Sequence, residues 1–178
     1  GKSDIVVCDA CEYVDTFLQL HPAFSVILNI DADHLDYFGT LDNIIKSFHK
    51  FCMQTSGRIL VNGDDPNAMR AVEGVTHAEI ITFGRTEASD YYVTELNEED
   101  TACEDFTVMH KGERVCRVNL HVPGEHNMMN ALAAAAAAHT LGVDGAHIKA
   151  ALEAFTGVHR RFEVLGKFGG VTVADDFA

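Results

Sequence analysis

A doubly wound, mostly parallel α/β sheet flanked by helices, with a small antiparallel β subdomain, is the fold class that this 178-residue sequence predicts. Three observations predict it. Short, apolar, β-branched runs alternate with helical patterns over residues 4–84, as in strands joined by helical crossovers. Residues 91–123 switch to alternating apolar and polar side chains, with Lys111-Gly112 as a hairpin turn. After Pro123-Gly124 the chain becomes alanine-rich and helical.

Asp4–Cys8 and Phe24–Ile30 are too apolar for half-exposed strands, and both are expected to be buried on two faces of a parallel sheet. Between them Val14–Leu20 has a short helical pattern that Pro22 ends. Thr40 is placed to cap a helix in which Leu41, Ile44, Ile45, Phe48 and Phe51 share a face. Arg58–Val61 is a third buried strand, and Asp64-Asp65-Pro66 starts a helix with proline near its first turn. Glu79–Gly84 is a fourth strand. Tyr91–Leu96, Asp105–His110 and Arg114–Val122 form the antiparallel part, and the acidic run between Glu95 and Asp105 is a solvated connection. The six alanines Ala133–Ala138 permit close packing of a long helix that Gly142 stops, and Asp144 caps the next. Phe162–Leu165 and Val171–Ala174 read as closing strands.

Size scaling lets a chain of this length bury about 70% of its unfolded surface, so a core without disulfide staples suffices. The net charge of −14, from 27 acidic and 13 basic residues, excludes non-specific nucleic-acid binding, which needs clustered Lys and Arg. The odd count of five cysteines fits a reducing cytoplasm. Cys8 and Cys11 form a lone CxxC without the second pair that a zinc site requires. No signal-peptide pattern or membrane-length apolar stretch is present.

Chemistry-bearing residues gather in a few places. Asp9 and Glu12 follow the first predicted strand, while Asp31, Asp33, His34 and Asp36 follow the second. Carboxylates and an imidazole at adjacent strand ends can hold a divalent cation, although caps and a surface histidine would read the same way. His126, Asn127 and Asn130 open the alanine-rich helix; amides can pair with a base edge, and the plainer reading is a helix cap with a buried polar residue. Arg160-Arg161 is the sole adjacent arginine pair, suited to phosphate oxygens or to bridging nearby acids. Gly1-Lys2-Ser3 leads into a strand, the wrong context for a phosphate loop.

The segments DACEYVDTFLQLHP, VILNIDADHLDYFG, VPGEHNMMNALAA, GVHRRFEVLG and VADDFA stand in the order found in the Mur ligases, which this sequence resembles from about Val6 to Phe177. The first two are most similar to the branch that joins L-alanine to UDP-N-acetylmuramate. The resemblance implies an ATP- and magnesium-dependent amide-forming enzyme of peptidoglycan synthesis in the cytoplasm, acting through an acyl phosphate. It implies magnesium ligation by Asp9 and His34, adenine contacts from His126, Asn127 and Asn130, phosphate contacts from Arg161 beside Arg160, and a ribose contact from Asp176. His34 and Arg161 are thereby the implied catalytic residues. The family carries glutamate where Asp9 stands, so Glu12 is a second candidate ligand. Phe177 stands in place of a common tyrosine, and His49 aligns with a modified lysine of other members.

Residues 1–178 are thus expected to form one partial central ATP-binding domain with an antiparallel insertion at about 91–123. The P-loop segment, the UDP-binding domain and the amino-acid-binding domain lie outside it, and the chain alone is expected to be inactive. Alternatives are a murein tripeptide ligase, a folate polyglutamate ligase, or a degenerate domain that binds nucleotide or a protein partner without catalysis.

Overall fold

In a computed structural model the described residues are 4–96, 105–158 and 163–175. Three apolar runs become the parallel strands β1 (Phe24–Ile27), β2 (Arg58–Asn62) and β3 (Glu79–Gly84). The alternating segments become β4 (Tyr91–Thr94), β5 (Asp105–His110) and β6 (Glu113–Asn119). All six lie in one sheet in sequence order. The antiparallel strands therefore continue the parallel sheet, because β4 pairs in parallel with β3 through Phe83–Tyr91 and Gly84–Tyr92 before the direction reverses. Asp90 secures that short join: its carboxylate accepts from the Thr82 N–H at 2.9 Å and the Thr82 hydroxyl at 3.1 Å. Lys111 and Gly112 both have positive φ, as the two-residue β5–β6 turn requires.

Helices cover the two faces differently. Thr40 caps α2 (Leu41–Gln54), and Asp65 caps α3 (Pro66–Ala71), accepting from the N–H groups of Asn67 and Ala68. Ile44, Ile45, Phe51 and Cys52 of α2 pack with Ile27, Ile59 and Val61 on one face. Leu60, one residue out of phase, points to the other face, where Met128, Leu132, Ala135 and Ala136 of α4 (Glu125–Thr140) meet Phe83, Phe106 and Val118. Small alanines allow this close approach of helix to sheet. Asp144 caps α5 (Gly145–Glu153) through the N–H groups of Ala146 and His147.

Some expectations change. Asp4–Cys8 forms no strand, and Val6 and Val7 are exposed. β propensity yields a strand only where a ladder and a covering layer exist, and no ladder joins this run to β1 among the described residues. Among the described residues β1 is an edge strand with one covered face, since α4 lies over β2, β3 and β4, leaving Val26 and Leu28 exposed. The segment after Glu12 is a 3-10 helix, Tyr13–Gln19, kinked by left-handed Val14 and Asp15. Among the described residues the last strands, β7 (Glu163–Phe168) and β8 (Val171–Asp175), pair with each other in a separate antiparallel sheet. Asp175 consequently ends a hairpin, not a strand of the parallel sheet. Among the described residues no helix is long and apolar enough to cross a membrane.

Candidate active site

The connection after β1 is held by long-range hydrogen bonds. Ile30 donates its N–H to the Asp65 carboxylate at 2.7 Å, and Asn67 donates its amide to the Ile30 carbonyl at 3.0 Å. Asn62, at the carboxyl end of β2, donates to the Leu28 carbonyl at 3.0 Å. The start of this connection, the end of β2 and the first turns of α4 enclose a cleft of about 490 Å³. Its polar lining includes Asn29, Asn62, His126 and Asn130, and its apolar lining Leu28, Phe83 and Met129. Carboxyl ends of parallel strands are the usual ligand edge of α/β sheets.

Further along the same connection, Asp33 and His34 meet Glu12, which precedes the 3-10 helix, with one potential ligand atom from each within 4.8 Å of the others. His34 Nε2 is 3.3 Å from Glu12 Oε1, and His34 Nδ1 is 3.8 Å from Asp33 Oδ1. This spread is near the roughly 4 Å between opposite ligands of an ion with bonds of about 2.1 Å, so small side-chain movements can close the set on a cation. Two carboxylates and one imidazole suit magnesium or manganese, with water and phosphate oxygens completing the shell. The cleft and this group are close: Asn29 and Asp33 are four residues apart and can be separated by at most about 14 Å.

Two tyrosines bind the backbone segments that carry these ligands. Tyr13 donates to Asp36 at 3.2 Å, and Tyr37 donates to Asp15 at 3.0 Å. The Asp36 charge and its hydrogen bond push the Tyr13 phenol above its ordinary pKa; the hydrogen bond from Tyr37 to Asp15, followed by burial and the charge, does the same for Tyr37. Both remain protonated donors at neutral pH.

The sequence candidates divide accordingly. Glu12 and His34 share the ligand group, which adds Asp33; Asp9 is exposed and stands outside it. His126 and Asn130 line the cleft, whereas Asn127 turns its amide back to the Pro123 carbonyl at 2.7 Å. Asn130 thus lines the cleft without Asn127, whose amide a local backbone acceptor captures. His49 bonds the Ala71 carbonyl through Nδ1 at 2.9 Å, tying α2 to α3. Arg160, Arg161, Asp176 and Phe177 lie outside the described residues. Cys8 and Cys11 are free thiols. Sequence reading singled out neither Asn62 nor Phe83 for the cleft; their positions at the carboxyl ends of β2 and β3 were the available signal.

Sheet order, cleft position and the adjacent ligand group define an α/β domain with its ligand-facing residues at the carboxyl ends of parallel strands. Within that class the chain belongs to the Mur ligase family, whose middle domain matches residues 4–138. It is 42% identical over 180 aligned residues to UDP-N-acetylmuramate--L-alanine ligase of Caldanaerobacter subterraneus subsp. tengcongensis, covering 100% of this chain and 39% of that protein. The crystal structure of UDP-N-acetylmuramate-alanine ligase from Thermotoga maritima superposes with a TM-score of 0.72 at 30% identity, over 92% of this chain and 36% of that one. MurF from Acinetobacter baumannii gives a TM-score of 0.77 at 28% identity, over 92% and 36%. The chain thus spans about two fifths of the length of the curated relatives it matches.

Proposed function

We propose that these residues are the nucleotide- and metal-handling part of a cytoplasmic enzyme that joins L-alanine to UDP-N-acetylmuramate at the expense of ATP. The observation that carries the reading is the Glu12, Asp33 and His34 group beside a cleft lined by His126 and Asn130, in a chain similar over its whole length to that ligase. In the reaction, the muramyl carboxylate oxygen takes the γ-phosphoryl group and ADP leaves. The alanine amine then attacks the acyl carbon and loses a proton, and phosphate departs as the amide forms. A divalent cation, when bound, offsets charge on the transferring phosphoryl group.

Glu12, Asp33 and His34 would hold that cation, with Asp9 an outer candidate. His126 and Asn130 would face the base in the cleft, whose size falls within the range of small-molecule sites. Asn127 would position the first turn of α4 through its bond to Pro123. The resemblance further gives Arg160 and Arg161 to phosphate and Asp176 to ribose. The remaining substrate contacts belong to other parts of a longer protein, so the 178 residues alone are proposed to be inactive.

The test is phosphate release by the full-length protein carrying this chain. Release that requires ATP, UDP-N-acetylmuramate and L-alanine together, and falls at least 100-fold in His34→Ala, is expected. Release supported by another amino acid but not by L-alanine, or unaffected by His34→Ala, would overturn the reading.

A further inference from the structure

The two segments that bring Glu12 to His34 are joined by a crossed pair of side-chain hydrogen bonds. Tyr13 follows Glu12 directly and donates to Asp36, which lies on α1 (Leu35–Phe38), two residues beyond His34. Tyr37 of the same helix donates in the opposite direction, to Asp15 at the start of the 3-10 helix. Each segment therefore supplies one phenol and one carboxylate. The Tyr13 ring also lies against the His34 imidazole, with centroids 4.6 Å apart, and meets the Tyr37 ring edge-on at 6.3 Å.

Asp15 extends the arrangement into the core. Its second carboxylate oxygen accepts from the hydroxyl of Ser47, a buried residue of α2, and its backbone N–H bonds the Glu12 carbonyl at 2.9 Å. The backbone here is held against its preference: Val14, Asp15 and His34 have φ of 55°, 57° and 52°. Such conformations are unfavourable in isolation and persist when surrounding contacts impose them. Val14 is β-branched and half-exposed, so its left-handed conformation has no intrinsic support. The crossed tyrosines and the Asp15–Ser47 bond are contacts that impose it.

We propose that Tyr13 and Tyr37 are positioning residues, a reciprocal clamp that sets the separation of Glu12 from Asp33 and His34 and thereby the affinity of this group for a divalent cation. The inference rests on the metal reading of Glu12, Asp33 and His34 given above. Neither phenol is a ligand. Each acts through a carboxylate near a ligand, Asp36 two residues from His34 and Asp15 three residues from Glu12, as outer partners of metal ligands do.

Tyr13→Phe, Tyr37→Phe and the double variant remove only the hydroxyls and keep the rings. Manganese affinity of each is measured by electron paramagnetic resonance of the free ion in the full chain, alongside the thermal midpoint. A Glu12→Gln/His34→Gln variant reports whether the ion occupies the group at all. The double tyrosine variant is expected to bind manganese at least tenfold more weakly, with a largely unchanged thermal midpoint. Asp36→Asn should reproduce much of the Tyr13→Phe effect, and combining the two should add little. Manganese affinity within twofold of wild type in the double variant, while Glu12→Gln/His34→Gln loses binding, would overturn the clamp and leave the metal reading intact. Unchanged binding in Glu12→Gln/His34→Gln would overturn both.

Discussion

Asp65→Ala is expected to cost about 3 kcal/mol, because one carboxylate performs two tasks. One oxygen caps α3, accepting from Asn67 N at 2.8 Å and Ala68 N at 3.2 Å. Losing such a cap costs about 1 kcal/mol. The other oxygen accepts the N–H of Ile30, a residue only 2% exposed, at 2.7 Å. A hydrogen bond from a charged partner to an otherwise unsatisfied buried donor is worth about 2 kcal/mol. For a chain of this length each 1 kcal/mol lowers the thermal midpoint by about 2–4 °C, so Asp65→Ala should melt about 6–12 °C early. Asp65→Asn retains a cap oxygen but turns its amide hydrogens toward the Ile30 N–H, so about 2 kcal/mol should be lost. Urea titration monitored by circular dichroism gives both differences, and amide exchange should quicken at Ile30. A loss below about 1 kcal/mol in Asp65→Ala, or an Asp65→Asn variant as stable as wild type, would refute the double role.

Gly145→Ala places a Cβ 2.0 Å from the Val115 carbonyl oxygen, whereas Gly142→Ala meets no neighbour within 4 Å and pays only for its φ of 88°. Urea midpoints should show a loss of at least about 2 kcal/mol for the first and about 1 kcal/mol for the second. Burial first, then His139 and Lys111, lower the pKa of His110, while Asp90 and Glu113 oppose the shift. The unfolded chain therefore takes up this proton more readily, so the contribution is intact above about pH 6.5 and fades as pH falls through the lower folded value. Thermal midpoints from pH 7.5 to 5 should drop less steeply in His110→Gln than in wild type, and equal slopes would exclude the effect. Burial raises the pKa of Asp90, but Thr82 and Lys111 outweigh it and leave it lowered. Asp90→Asn should thus reduce the steepness of acid unfolding below about pH 4, measured by circular dichroism.

Local chemistry made much of this fold legible. Thr40, Asp65 and Asp144 were readable as caps because each bonds N–H groups within three residues. Lys111-Gly112 was readable as a turn because glycine readily takes the positive φ found there. What was not legible depends on partners distant in sequence. Asp4–Cys8 has strand composition but is not a strand among the described residues, and β7 and β8 pair with one another there instead of entering the main sheet. At the site, helical spacing marked Asn130 together with Asn127, the family resemblance added His126, and strand-end position marked Glu12 and His34. Strand-end position marked Asp33 together with Asp31 and Asp36 without separating them, and Asn62 and Phe83 join the cleft through the parallel register of β2 and β3. Asn127 shows that helical spacing predicts a shared face without saying where an amide finds its acceptor.

Divalent-cation binding by Glu12, Asp33 and His34, next to a nucleotide cleft lined by His126 and Asn130, is the proposal on which the functional reading rests. Its most direct test is a heteronuclear magnetic resonance titration of the ¹⁵N-labelled chain with manganese, followed by a non-hydrolysable ATP analogue. Manganese should broaden the amides of Glu12, Asp33 and His34 first, and the analogue should then shift those of His126 and Asn130 while the broadening reaches the cleft. Broadening centred elsewhere, or a pattern unchanged in Glu12→Gln/His34→Gln, would contradict it.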